Sequence, residues 1–215
     1  MTLEQIAAKI AAGEWDGLAE LLRPHAAADD LEAQYLLGSL LLTDCSASNL
    51  ELLGWLDRAV SKGHAGALYL KSMLGEVSED SLCTGGPQTD EQRELLQRAA
   101  QLGWADAQRD LGCLLATGEG GFAQDGERGR YWYQQAAEQG HSDAQYNLAI
   151  MLLAGEGGPP DPVEGMRWLG LAARAPDGGY FAGVAADILS AGAFGVRPDP
   201  QRAAFYRQLE SNSHR

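Results

Sequence analysis

Apolar and small residues recur along this chain in two alternating patterns, both with a helical period. In the first, alanine and leucine stand four residues apart, as in Ala33 and Leu37, Ala107 and Leu111, or Ala144, Leu148 and Leu152. That spacing lays one buried stripe along a helix. In the second, a large residue is followed four and five positions later by alanines, as in Trp132, Ala136 and Ala137. Small residues beside a large one on one face suit close helix-helix contact. A glycine then ends the second pattern, and Gly140 is predicted to be a left-handed C-terminal cap. The stretch from Tyr131 to Leu148 therefore reads as the end of one helix, a tight turn and the start of the next.

Taken in order, Thr2 and Gln5 form a capping-box pattern that predicts a helix over residues 3–12, ended by Gly13. A second helix from about Asp16 carries Leu18, Leu21 and Leu22 inward until Pro24 disfavours continuation. Residues 1–29 thus read as N-terminal capping helices. Over residues 30–211 the two patterns alternate for about five helix pairs, and 212–215 is a short tail. The large residues of the second helices are Trp55, Leu95, Trp132, Trp168 and Tyr206, at intervals of 40, 37, 36 and 38. Gly118, Gly155 and Gly192 are each 37 apart, and Asp125, Asp161 and Asp199 follow them as candidate N-caps, two with Pro162 and Pro200 at the next position. Self-similarity at this period predicts an all-α solenoid of stacked antiparallel helix hairpins. The 40-residue interval is filled by a polar, glycine-containing segment, 75–89, read as an enlarged inter-helix loop or, more sharply, as a partner-contacting flap.

Gly38 and Gly112 fall inside predicted helices, where glycine costs about 1 kcal/mol relative to alanine, so a close helix crossing is expected at each. Trp132 and Trp168 are expected to fill the core between hairpins, and truncation of a buried one to alanine to cost about 3–5 kcal/mol.

These residues resemble the Sel1-like repeat family, which is related to tetratricopeptide repeats. The resemblance rests on A-x-x-x-L-G near the start of each first helix, on the loop glycine followed by an aspartate cap, and on W-[YL]-x-x-A-A-x-x-G in the second helix. It covers roughly Asp30 to Leu209, most specifically in the third and fourth units. The second unit departs at Lys71, which stands at the leucine position, and the fifth at Asp187. The resemblance implies a right-handed superhelix whose concave face binds other proteins or peptides, commonly as an adaptor.

Charge narrows the partners. Thirty acidic against sixteen basic side chains give a net charge of -14, which repels phosphate backbones and anionic headgroups and argues against nucleic acid or membrane partners. No secretory signal or bilayer-spanning stretch is visible, and Cys45, Cys83 and Cys113 are odd in number and irregularly spaced. Cytoplasmic location is the expectation. Cys45 and Cys83 fall in adjacent inter-helix loops, where they could meet.

No nucleophile elbow, phosphate-cradling loop or dinucleotide fingerprint is found. His64 and His141 each follow a turn glycine at equivalent repeat positions, with Trp104 in the third copy, and are expected to cap or pack helix starts; no metal and no cofactor is assigned. Glu119 and Glu156 are loop copies read as solvated. Some cysteine-paired Sel1-like proteins have been proposed to bind or cleave beta-lactams, and the regular cysteine pairing is missing here.

Function is placed instead on the first helices. With alanine and leucine buried at i and i+4, positions i+2 and i+6 fall on another stripe: Tyr35 and Ser39, Tyr69 and Met73, Arg109 and Cys113, Tyr146 and Ile150. Tyrosine and arginine favour interfaces, so this row is the predicted partner-binding site. Packing between neighbouring first helices is the competing reading. The sequence thus predicts a non-enzymatic adaptor for a protein or peptide with a basic segment; the alternatives are a dedicated inhibitor or immunity-type protein of a toxic effector, a hydrolase, or a self-assembling structural piece.

Overall fold

Helix-forming stripes and caps account for nearly every element. The structure is a computed structural model that describes residues 1–43, 49–77, 82–84 and 87–213, and the chain divides into two units, Met1–Trp104 and Ala105–Arg215.

The first unit begins with α1 (Leu3–Ala11) and α2 (Leu18–Ala27). Thr2 and Gln5 close the expected capping box at the start of α1. The expected break at Pro24 is absent: α2 runs through it. The carbonyl that Pro24 leaves without a helical donor belongs to exposed Glu20, where water is available. Leu18 and Leu22 turn inward as predicted, but Leu21 is 39% exposed. Three helices follow, α3 (Leu31–Thr43), α4 (Asn49–Ser61) and α5 (Ala65–Met73), then strands β1 (Leu74–Val77) and β2 (Leu82–Thr84), then α6 (Asp90–Gln101). The strands are a correction to the enlarged loop of 75–89. They pair antiparallel, with Leu74 opposite Thr84 and Val77 opposite Leu82. Among the described residues they are the exception to an otherwise helical unit. The Thr89–Gln92 capping box starts α6 as expected, and the Gln92 side chain donates to the Leu74 carbonyl, tying the hairpin to the next helix. Cys45 lies outside the described residues, so the suggested approach of Cys45 to Cys83 lies outside them too.

The second unit holds three helix pairs: α7 (Ala105–Thr117) with α8 (Gly126–Glu138), α9 (Ser142–Ala154) with α10 (Pro162–Ala172), and α11 (Gly179–Ala191) with α12 (Pro200–Asn212). In the first unit α3 packs on α4 and α5 on α6 in the same way. The inter-helix loops are built alike. Asp125, Asp161 and Asp199 accept from the backbone N–H three residues on, each at 3.0 Å. Their own N–H groups donate to Leu115, Leu152 and Leu189 at 2.7, 2.8 and 2.9 Å. One residue thus starts the second helix and satisfies a carbonyl in the last turn of the first. Gly63, Gly103 and Gly140 end the preceding second helices with φ of 78°, 90° and 90°.

Close crossing explains the mid-helix glycines. A Cβ on Gly38 would lie 2.6 Å from a Leu56 methyl, and one on Gly112 would lie 3.0 Å from the Tyr133 ring and 3.2 Å from the Gly129 carbonyl. The core register differs by one residue from the predicted one. Trp168 is buried at 8% exposure, but Trp55 and Trp132 are only half-buried, which corrects the expectation that Trp132 fills the core. The fully packed position is the next one, Leu56, Leu96, Tyr133 and Leu169. That residue stands three and four positions before the alanine pair, at the centre of the stripe, whereas the tryptophan stands four and five before it and lies at the stripe's edge. Trp55 and Trp132 therefore pack at rims, with Arg58 over the Trp55 ring and Tyr131 edge-on to Trp132.

Candidate functional site

All eight residues of the predicted row are half-buried, so they lie where a first helix leaves its core stripe. Their surroundings differ between the two units. In the first unit Tyr35 stacks on His64, with ring centroids 4.4 Å apart, and meets Trp104 edge-on at 5.6 Å. A Cβ on Gly66 would lie 2.8 Å from both Tyr35 and Trp104, so the glycine makes room for that cluster. The Ser39 hydroxyl donates to Leu36 O at 2.9 Å within its own helix. Tyr69 and Met73 lie on α5, Met73 as its last residue before β1. Lys71, the departure from the leucine pattern, pairs with Asp57 of α4.

In the second unit Arg109 pairs with Asp110, and Cys113 and Ile150 pack against the buried core. The Tyr133 hydroxyl, on α8, hydrogen-bonds the Cys113 side chain; burial first and the Cys113 thiol second push its pKa well above the ordinary tyrosine value. Tyr146 stacks on buried Phe181 at 4.9 Å and meets Tyr180 edge-on at 5.7 Å, with the two hydroxyls 3.5 Å apart. Burial, then the hydrogen bond with Tyr180, pushes the Tyr146 phenol up to about 12. Tyr180 is 65% exposed, which makes it the outermost ring of the group. Tyr35 and Tyr146 therefore pack between successive first helices, the competing reading of the row, and Tyr180 beside Tyr146 is left exposed.

Tyr180 escaped the sequence reading because the i+2 and i+6 rule, applied to the last copy, selects positions one turn further along α11. The available signal was the Tyr180-Phe181 pair itself, where earlier copies carry Gly66-Ala67, Asp106-Ala107 and Asp143-Ala144. A second missed feature is the glutamine that follows three of the stripe alanines, Ala33, Ala107 and Ala144. Gln34 and Gln145 are buried and donate to Ala26 O and Ala137 O, eight residues back, at 3.2 and 3.1 Å, and Gln108 accepts from Gln139 at 2.7 Å. Gln34 and Gln145 thus satisfy carbonyls at the end of the preceding second helix, whereas Gln108 ties α7 to the end of the helix that follows it.

The histidines are caps, as expected. His64 Nδ1 accepts from Ala67 N at 3.2 Å and His141 Nδ1 from Ala144 N at 3.4 Å. With Nδ1 accepting, Nε2 carries the proton and faces a carboxylate of the previous first helix, Glu32 at 3.0 Å and Asp106 at 3.2 Å. Among the described residues no group of three or more His, Cys, Asp or Glu side chains is placed to hold a metal ion, and no helix is long and apolar enough to cross a membrane. Open depressions lie away from the row. One is lined by Glu127, Arg130, Tyr131 and the turn 157–159, and two others adjoin Trp15.

One loop breaks the pattern of its siblings. Gly120 and Gly157 adopt φ of 59° and 69°; the equivalent position after Gly192 is Phe194, at φ 54° and 48% exposed. A bulky side chain in the left-handed region is strained.

Comparison with known proteins fits this architecture. The Sel1 repeat matches residues 31–44, 93–104, 105–141, 142–177 and 180–207, together more than half of the chain. No curated protein sequence matches it. Among solved structures, a protective antigen of uropathogenic Escherichia coli strains displaying an SLR fold superposes with a TM-score of 0.75 at 24% identity, over 91% of this chain and 41% of that one. The chain thus spans less than half the length of that protein. A Sel1 repeat protein from Oxalobacter formigenes gives a TM-score of 0.68 at 24% identity, over 90% of this chain and 75% of that one. An immunity protein from Pseudomonas aeruginosa gives 0.61 at 23% identity, over 93% and 74%.

Proposed function

The chain belongs to the Sel1 repeat family, and from that premise we propose that it is a non-enzymatic scaffold that docks another protein on the first-helix faces of its repeats. The observation that carries this reading is the group Tyr146, Tyr180 and Phe181, in which a buried ring supports a half-buried one and an exposed one. Rigid aromatic side chains held by their neighbours bury large area at low entropic cost, the property of interface anchors. Arg109, Cys113 and Ile150 in the same unit, and Tyr35, Ser39, Tyr69 and Met73 in the other, complete the proposed contact set. The net charge of -14 favours a partner that presents a basic segment and makes its association faster at low salt.

A second reading is a dedicated inhibitor of one toxic effector. It is favoured by the fold shared with an immunity protein. Affinity capture from the native host with the wild-type chain, followed by purification of what is retained, separates the two. A scaffold retains several partners of moderate affinity; an inhibitor retains one, very tightly. Binding that survives substitution of Tyr35, Tyr69, Arg109 and Tyr146 by alanine, or that ignores salt, would overturn the docking assignment.

A further inference from the structure

The surroundings of the Tyr146–Tyr180 pair specify more than an apolar contact. Asp143 stands one turn before Tyr146 on α9, and Asp177 three residues before Tyr180. The Ser142 hydroxyl lies 3.5 Å from Asp177 Oδ2, so the start of α9 and the segment leading into α11 come together there. Ser142 and Asp143 stand four and three residues before Tyr146, on the same side of α9, so the Asp177 contact lies one turn from that ring. Asp143 and Asp177 are exposed, and neither forms an ion pair among the described residues. Two aromatic rings and two unneutralised carboxylates thus border one spot on the surface of a strongly acidic chain.

A flat cation fits those four groups. A guanidinium can stack on a tyrosine ring while its edge donates to carboxylates; an ammonium is a compact, more strongly hydrated point charge without that edge. The chain uses the same chemistry internally. Arg167 lies 4.2 Å over Trp168, Arg58 lies 4.7 Å over Trp55 and Arg174 lies 5.8 Å over Phe205. Tyr146 and Tyr180 have no such cation of their own among the described residues. We propose that Tyr146 and Tyr180, with Asp143 and Asp177, seat an arginine side chain of the docked protein. This rests on the docking reading above and assigns its chemistry.

The test titrates the full chain with capped hexa-arginine, hexa-lysine and hexa-citrulline peptides at physiological salt, following tyrosine ring signals by NMR and affinity by calorimetry. The expected result is saturable binding of the arginine peptide, about tenfold weaker binding of the lysine peptide and none of the citrulline peptide. Tyr180→Ala and Asp177→Asn should each weaken the arginine peptide about fivefold at unchanged melting temperature. Equal binding of arginine and lysine peptides, wild-type affinity in both variants, or no binding at all would overturn the assignment. The two readings fail separately. If Tyr146→Ala and Tyr180→Ala weaken a captured protein partner while the peptides ignore the site, docking stands and the arginine seat falls. If the peptides behave as expected while that partner is unaffected, the seat stands and the docking reading falls.

Discussion

Tyr35 and Tyr146 occupy the same position in their repeats, two residues after a buried alanine, yet their fates differ. Tyr35 is closed in by His64 and Trp104, the residues that begin the next two first helices in sequence. Tyr146 is backed by Phe181 and leaves Tyr180 on the outside. The same contrast runs through the backbone. In the second unit each first helix has thirteen residues; in the first unit α5 stops after nine and gives way to the β1–β2 hairpin. Where the repeat is regular, stacking is carried by alanines, glycines and caps, and side chains on the free stripe can be spent on a surface. In the first unit Tyr35 stands on an equally long α3 of thirteen residues, and it is the rings of His64 and Trp104 that cover it.

The strongest way to break this comparison is to attack the regular core. Trp168→Ala should cost about 3–5 kcal/mol, because the ring is buried, whereas Trp132→Ala, at a half-buried rim, should cost about 1–2 kcal/mol. Urea unfolding of the two variants measures the difference, and equal losses would contradict the one-residue register. A smaller effect tests the caps. His141→Ala should lose about 1 kcal/mol, and His141→Asn, which keeps an acceptor in place, should recover most of it. Hydrogen exchange in the first turn of α9 localises the change. Smaller again, and opposite in sign, Phe194→Gly should stabilise the chain by roughly 1 kcal/mol, raising the melting temperature by about 2–4 °C, since its siblings Gly120 and Gly157 hold that backbone without strain. A lower melting temperature would show that the phenyl ring packs well enough to offset its backbone.

These contrasts also mark what could be read from the sequence. Ala33, Ala107 and Ala144 with their leucines, the aspartate caps and the glycine turns are each fixed by local backbone chemistry, so their positions were legible. Trp132 was misplaced because a large residue at the edge of a stripe has nearly the same spacing as one at its centre, and only the neighbouring Tyr133 decides which ring goes in. Helix α2 passing through Pro24 depends on whether the lost bond faces water, which spacing does not encode. The strands that pair Leu74 with Thr84 are only four and three residues long, too short to show a period. The row's place on a stripe beside the core followed from spacing; the contribution of Tyr180 did not, because it comes from the next repeat and emerges only when α9 and α11 are side by side.

The most direct measurement is the affinity of a captured, purified partner for the wild-type chain and for a Tyr146→Ala, Tyr180→Ala double variant, with Trp132→Ala as a control of comparable ring loss outside the row. The account predicts at least a tenfold loss in the double variant, measured below its melting transition, and no loss in Trp132→Ala, which is destabilised to a similar extent. Wild-type affinity in the double variant would contradict it.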